Sequence, residues 1–187
     1  MEEASIAAKH IACRRGDRLL FAGLSFALGP GEALQVVGAN GTGKSSLLRI
    51  LAGLLHPFEG SVTRAGSVAL LDGNLPLDEH LSLAKAMAFW ERIDGTALPV
   101  DPALAEVPVR FLSTGQRKRA AVAQSHPRSG GIWLLDEPLN GLDVRAAEAL
   151  QTRVAERCAG GGIAVIASHQ PFALDGLKQI DLTEFAA

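Results

Sequence analysis

Apolar and polar positions in the first 28 residues predict a β-hairpin. Residues 6–13 and 19–28 are largely apolar, and the apolar positions of the second run come close to strict alternation. This period of two is typical of a strand with one buried face. The polar turn Arg14-Arg15-Gly16-Asp17 separates the runs. We therefore predict that two antiparallel strands open the fold.

Further along, short and largely apolar runs predict strands that are buried on both faces. These runs are 33–37, 132–135 and 163–167. Stretches with helical periodicity, 45–55 and 144–158, follow the first two runs. A parallel sheet with helices on both faces requires this pattern. We predict an α/β fold with a mostly parallel sheet.

Residues 76–130 interrupt the alternation of strand and helix. Within them, 81–92 and 114–124 both have helical patterns, without an apolar strand between them. We predict one domain of 1–187, in which 76–130 form a short helical subdomain. The α/β core is then built from 1–75 and 131–187.

Composition narrows the class of protein. The 187 residues suit a single domain, and 18 Lys+Arg against 20 Asp+Glu provide no basic field for nucleic acid. No apolar run approaches the roughly 18 residues that span a bilayer. The acidic start at Glu2 and Glu3 is unlike a secretory signal, so we expect a cytoplasmic location. Cys13 and Cys158 lack the spacing of a zinc site.

A glycine-rich segment between a predicted strand and a predicted helix fits the phosphate-loop pattern GxxxxGK[ST]. It reads Gly38-Ala39-Asn40-Gly41-Thr42-Gly43-Lys44-Ser45. Glycines let backbone N–H groups wrap around phosphates, Lys44 reaches the terminal phosphates, and Ser45 can coordinate Mg²⁺. We place Ser46, the next residue, with this nucleotide-binding set. The alternative is a glycine turn that binds nothing.

Two acids and one histidine follow predicted strands at positions suited to phosphate chemistry. Asp136 and Glu137 come directly after 132–135, and His169 follows 163–167. Ligand sites of open α/β sheets form at such strand ends. Asp136 is suited to hold Mg²⁺, Glu137 to deprotonate an attacking water, and His169 to contact the γ-phosphate. The alternatives are a surface acid pair and a capping histidine.

The segment Leu112-Ser113-Thr114-Gly115-Gln116 resembles the LSGGQ signature of ATP-binding cassette ATPases, with Thr114 in place of the first glycine. The order of phosphate loop, signature, acidic strand end, the D-loop-like 139–143 and the switch His169 covers 36–170. The resemblance implies a P-loop ATPase that binds ATP and Mg²⁺.

The same resemblance implies partners. Ser113, Gly115 and Gln116 of one copy would close on ATP held by a second copy, in a head-to-tail dimer. A separate integral membrane permease would hold this dimer peripherally at the cytoplasmic face of the bacterial inner membrane. The basic run 117–119 invites a nucleic-acid interpretation, but we predict a solvated helix face instead.

Two family positions differ in this sequence. Where the family has a glutamine that touches Mg²⁺ and relays to the membrane partner, the corresponding residue is Asn74, whose amide is one methylene shorter. The family stacks an aromatic residue on adenine, whereas this chain has no tyrosine and carries Arg15 at about that place. A guanidinium can stack on a base, although a plain surface turn is an equal alternative for Arg15.

Within the cassette family, the chain resembles the ATP-binding subunits of cytochrome c maturation systems. The segments that carry this likeness are 107–111, 132–138 and 161–171. The resemblance implies heme export or release of heme from a chaperone, although no heme-ligand pattern is visible. Three alternatives stay open: another small exporter ATPase, a soluble cassette ATPase, or a nucleotide switch that barely hydrolyses because of Asn74.

Overall fold

The computed structural model describes residues 3–73, 77–94, 100–125 and 131–186. Within these residues the chain forms eight strands and four helices. The strands are β1 (Ser5–Arg15), β2 (Arg18–Leu28), β3 (Ala33–Val37), β4 (Glu59–Ala65), β5 (Val68–Leu71), β6 (Ile132–Asp136), β7 (Ile163–Ala167) and β8 (Lys178–Asp181). The helices are α1 (Lys44–Ala52), α2 (Leu83–Asp94), α3 (Thr114–Gln124) and α4 (Val144–Ala159).

The antiparallel sheet has the strand order β2-β1-β4. Its first two strands pair from Ile6 with Leu28 to Arg15 with Arg18, which confirms the predicted hairpin. Strand β4 is absent from the prediction because it lies at the sheet edge and is mostly exposed, so its sequence lacks apolar alternation.

The second sheet is parallel, with the order β5-β6-β7-β3-β8. Its three central strands are the three predicted from apolar runs, which confirms the predicted α/β class. The two edge strands, β5 and β8, are short and only partly buried. The mainly polar sequence of β8 explains why the apolar pattern did not reveal it, whereas β5 is a four-residue apolar run that the prediction overlooked.

Both faces of the parallel sheet are buried. Leu134 and Val165 face a core shared with α1 and the antiparallel sheet, whereas Trp133 and Ile166 face a second core under α4. Successive residues of a strand point to opposite faces, so the residues on both faces of β6 and β7 must be apolar. This burial explains the consecutive apolar runs in the sequence.

The four predicted helices all form. Helix α3 has the predicted bounds, and α2 and α4 differ from prediction by a residue or two at their ends. The prediction for α1 ran too far, because the helix ends at Ala52 where Gly53 takes a left-handed φ of 79°. Helices α2 and α3 share a third apolar cluster around Met87 and Leu112. None of the helices within the described residues is long and apolar enough to cross a bilayer.

Candidate functional site

The glycine-rich loop joins the carboxyl end of β3 to the first turn of α1. Its glycines Gly38, Gly41 and Gly43 all have positive φ, at 138°, 83° and 107°. A Cβ on Gly43 would also lie 3.1 Å from a ring carbon of Phe21 in β2. Glycine is therefore required at position 43 for both conformation and space, and β2 holds the loop against the sheet.

Lys44 lies inside this loop, with 6% of its surface exposed. Its Nζ donates hydrogen bonds to the carbonyl oxygens of Gly38 at 2.7 Å and Ala39 at 3.3 Å. The same Nζ lies 3.9 Å from Oε1 of Glu137. A buried ammonium beside the free N-terminus of a helix makes a site suited to phosphate oxygens.

Other residues of the glycine-rich loop and of the start of α1 make contacts that fix its shape. The Thr42 hydroxyl donates to the Ala39 carbonyl at 2.9 Å and closes the turn. Ala39, Asn40 and Gly41 are exposed at its tip. Ser46 is buried and bonds to the side chain of Cys13 in β1, so it ties α1 to the antiparallel sheet.

The Asp136 carboxyl ends β6 and interacts with the start of α1. The Ser45 hydroxyl bonds to this carboxyl, while Asp136 Oδ1 is buried and has no hydrogen-bond partner among the described residues. Burial raises the pKa of Asp136, and the charges of Glu137 and Asp72 raise it further, against the Ser45 bond and the charge of Lys44. An orphaned carboxylate oxygen beside a hydroxyl fits the oxygen donors that Mg²⁺ uses.

Glu137 follows directly and takes a left-handed φ of 44°, which is unusual for a residue other than glycine. Its backbone N–H donates to the Ala167 carbonyl of β7 at 2.8 Å. Its Oε2 lies 2.9 Å from Nδ1 of His169. Because β6 and β7 are neighbours in a parallel sheet, their carboxyl ends bring the acid and the histidine together.

The signature-like residues begin α3 as a reciprocal cap. The Gln116 N–H donates to the Ser113 hydroxyl at 3.2 Å, and the Ser113 N–H donates to the Gln116 side-chain oxygen at 2.8 Å. A Cβ on Gly115 would lie 2.7 Å from the Gly141 carbonyl oxygen. The segment thus packs against the D-loop-like 139–143, and in the described part of the chain its side chains bond to each other, not to the phosphate loop.

The structure does not test two predicted site residues. Asn74 lies outside the described residues. Arg15 is exposed at the end of β1, and its charge acts on the Cys13 thiol that Ser46 contacts. The role of Arg15 toward adenine stays a prediction.

The prediction of a solvated face at 117–119 is wrong for two of the three side chains. Arg117 is half-buried and donates to the carbonyls of Leu112 and Arg110. Lys118 is also half-buried, and its Nζ donates to the Glu137 carbonyl. Only Arg119 is exposed.

Lys118 is a residue of the site that sequence reasoning missed. Burial lowers its pKa, while the charges of Glu137 and Asp136 raise it. A signal was available in the helical period, because positions 121 and 122, three and four residues further along, are apolar and share its helix face.

Three further polar contacts at this sheet edge were also missed. Asp72 follows β5 and pairs with Arg49 of α1 at 3.1 Å. Gln170 follows His169 and donates to the Asn140 side-chain oxygen at 3.0 Å, while Gln35 donates to the Gln170 carbonyl at 2.8 Å. The strand ends predict Asp72 by the same reasoning as Asp136, but the Gln170 contacts depend on loop geometry alone.

Comparisons with known proteins address the family of this chain. A family model described as "ABC transporter" matches residues 21–140. The cytochrome c biogenesis ATP-binding export protein of Novosphingobium aromaticivorans is 53% identical over 99% of both chains. The protein of the same name from Zymomonas mobilis is 46% identical, over 98% of this chain and 87% of that one.

A solved structure extends the comparison to the fold. An ATP-binding cassette, solved as a dimer in a post-hydrolysis state bound to ADP and Pi, superimposes with a TM-score of 0.75. It is 18% identical and covers 88% of each chain. The resemblance in sequence, fold and order of site residues leads to one conclusion: this chain belongs to the ABC transporter family.

Proposed function

We propose that this chain is the ATP-hydrolysing subunit of an exporter used in the biogenesis of c-type cytochromes. ATP hydrolysis coupled to transport is the activity of its family. The observation that carries the proposal is the convergence of Lys44, Asp136, Glu137 and His169 at one sheet edge, in a chain 53% identical to a cytochrome c biogenesis export protein.

Each residue has a chemical role in this proposal. Lys44 and the N–H groups of 38–45 bind the phosphates. Ser45 and Asp136 would hold Mg²⁺, which when bound neutralises phosphate charge. Glu137 takes a proton from the attacking water, and His169 orients the Glu137 carboxylate in the resting state and contacts the γ-phosphate.

We further propose that the working enzyme is a dimer bound to a separate permease. Ser113, Gly115 and Gln116 would face the nucleotide of the second copy, supported by the anion-binding character of a helix N-terminus. The helical subdomain 76–130 would carry this surface, and the dimer would sit on the cytoplasmic face of the inner membrane. Asn74 and Arg15 stay predictions for magnesium and adenine, and heme is the proposed cargo.

The ATPase proposal is tested by turnover of the chain purified with its membrane partner. Glu137→Gln should lower Mg²⁺-dependent turnover at least about 100-fold, because it removes the base, while ATP stays bound. Glu148→Gln, at an exposed acid of α4, is the matched control and should turn over as the parent does. A parent complex without Mg²⁺-dependent turnover, or an active Glu137→Gln variant, would contradict the proposal.

The biological assignment needs a separate test in a host that makes c-type cytochromes. Deleting the gene should abolish covalent heme staining of these cytochromes, and the parent but not Glu137→Gln should restore it. Normal staining after deletion would favour another small exporter. Recovery of the chain wholly free of membranes would favour a soluble cassette ATPase.

A further inference from the structure

Lys118 connects α3 to the peptide group of Glu137. Its Nζ donates to the Glu137 carbonyl across 19 residues of sequence. Helix α3 begins at the signature-like residues, and Lys118 lies one turn further along. We propose that Lys118 is a positioning residue that holds the Glu137 main chain, and through it the hydrolytic carboxylate. The inference rests on the proposed ATPase function.

The Glu137 backbone needs such support because of its conformation. With φ at 44°, this residue occupies a region that side-chain-bearing residues rarely adopt. Conformations of this kind persist where surrounding contacts over-determine them. The Glu137 N–H is held by Ala167, and its carbonyl accepts from both Lys118 and the Asn140 N–H. Lys118 supplies the contact that comes from the helical part of the fold.

The environment of the ammonium agrees with this role. Lys118 is half-buried, in contrast to the exposed Arg119 that follows it. It lies within range of the charges of Glu137 and Asp136, so the carboxylates offset part of the cost of its burial. A solvated lysine would have neither a main-chain acceptor nor two acids beside it.

A change in the position of α3 should therefore move the Glu137 carboxylate. Glu137 must align with the attacking water, and a displacement of about 1 Å in such a group can cost 100-fold in rate. Removing the Lys118 contact frees the strained peptide and the side chain it carries. Lys44 keeps its hydrogen bonds to the Gly38 and Ala39 carbonyls without this contact, so ATP binding should survive its loss.

The kinetic test compares variants in the purified complex with the membrane partner. Lys118→Met should lower kcat about 10- to 100-fold and leave KM for ATP within about threefold of the parent. Lys118→Arg, which keeps a cationic N–H donor, should recover kcat to within about threefold of the parent. The matched control is Lys9→Met at an exposed lysine of β1, which should leave both constants unchanged. If Lys118→Met does not fold, Lys118→Leu replaces it, since it also removes the N–H donor.

A double-mutant cycle separates positioning from a merely structural role. If Lys118 acts through Glu137, the double variant Lys118→Met/Glu137→Gln should turn over no more slowly than Glu137→Gln alone. A second full loss of rate in the double variant would overturn the inference, as would a parental kcat in Lys118→Met. With an active parent and an inactive Glu137→Gln, those results would leave the proposed function standing. A parent complex without turnover would overturn both.

Discussion

The Asp136 carboxyl lowers the stability of the folded protein at a position suited to bind Mg²⁺. It is half-buried, its buried Oδ1 lacks a hydrogen-bond partner among the described residues, and its pKa is raised above the ordinary value. A carboxyl of this kind is destabilising when ionised, because the folded state solvates its charge less well than water does. Mg²⁺ and nucleotide would remove that penalty.

The cost of holding an ionised Asp136 carboxylate in the folded protein predicts a pH-dependent gain in stability for Asp136→Asn. The folded pKa exceeds the unfolded one, so the parent loses free energy of unfolding as pH rises from the ordinary Asp range through the raised value. The variant should therefore be more stable than the parent at pH 7 in EDTA, and the advantage should shrink as pH falls toward the ordinary value. Urea unfolding across this range measures the difference.

An aspartate with the opposite environment provides the control. Asp181 accepts from the Thr183 N–H and hydroxyl at 2.9 and 2.7 Å, and these bonds lower its pKa. Asp181→Ala should therefore lose stability at pH 7 and lose less at low pH, where the parent's carboxylate is protonated. An Asp136→Asn variant less stable than the parent at pH 7 would show that the buried charge is not destabilising.

At the scale of elements, the contact between the start of α3 and the loop 139–143 joins the signature-like segment to the end of β6. Gly115 and Gly141 approach so closely that a Cβ on Gly115 would lie 2.7 Å from the Gly141 carbonyl oxygen. Gly141 itself has a φ of 78°. The reciprocal cap of Ser113 and Gln116 fixes the helix start against this loop.

Gly115→Ala should therefore push the two elements apart. The added methyl group meets backbone, which cannot move as a side chain can, so we expect a loss of about 1–3 kcal/mol in the free energy of unfolding. Gly29→Ala is the matched control, since it has open space around its Cβ position, and it should change stability by no more than about 0.5 kcal/mol. Equal stability of the two variants would contradict the close contact.

At the scale of the whole molecule, the order of the parallel sheet gathers the phosphate loop, the acids and His169 at one edge. The signature-like residues lie on α3 and bond to each other across its cap. In the proposed head-to-tail dimer they complete the site of the second copy. The two halves of one site would then belong to different chains.

Mixing two inactive variants tests this sharing. Lys44→Ala removes the phosphate-binding cation and Ser113→Ala removes the signature hydroxyl. In a mixed dimer both defects fall in one site and the other site is intact. An equal mixture should therefore recover turnover, to about a quarter of the parental value if the sites work independently and pair at random. Turnover should not recover in a mixture of Lys44→Ala with Glu137→Gln. Both substitutions lie in the half of the site that carries the phosphate loop, so each site of a mixed dimer contains one of them.

The fold was predictable where burial leaves a periodic mark. The central strands β3, β6 and β7 are largely apolar on both faces, with Gln35 the buried polar residue of β3, and the hairpin strands alternate. Edge strands β4 and β8 leave no such pattern because they are partly exposed and mainly polar, and β5 is apolar but only four residues long. The end of α1 at Ala52 follows from Gly53, whose presence alone did not mark the end of the helix.

The sequence by itself determined the chemistry of the candidate site. Lys44 was predictable from the phosphate-loop pattern, and Asp136, Glu137 and His169 because they follow buried strands that end at a common edge. Only the tertiary structure decided the contacts between elements distant in sequence: the bond from Lys118 to the Glu137 carbonyl and the left-handed Glu137 backbone that it supports. Local periodicity reports which face of an element is buried, whereas the partner across that face depends on how the helices pack on the sheet.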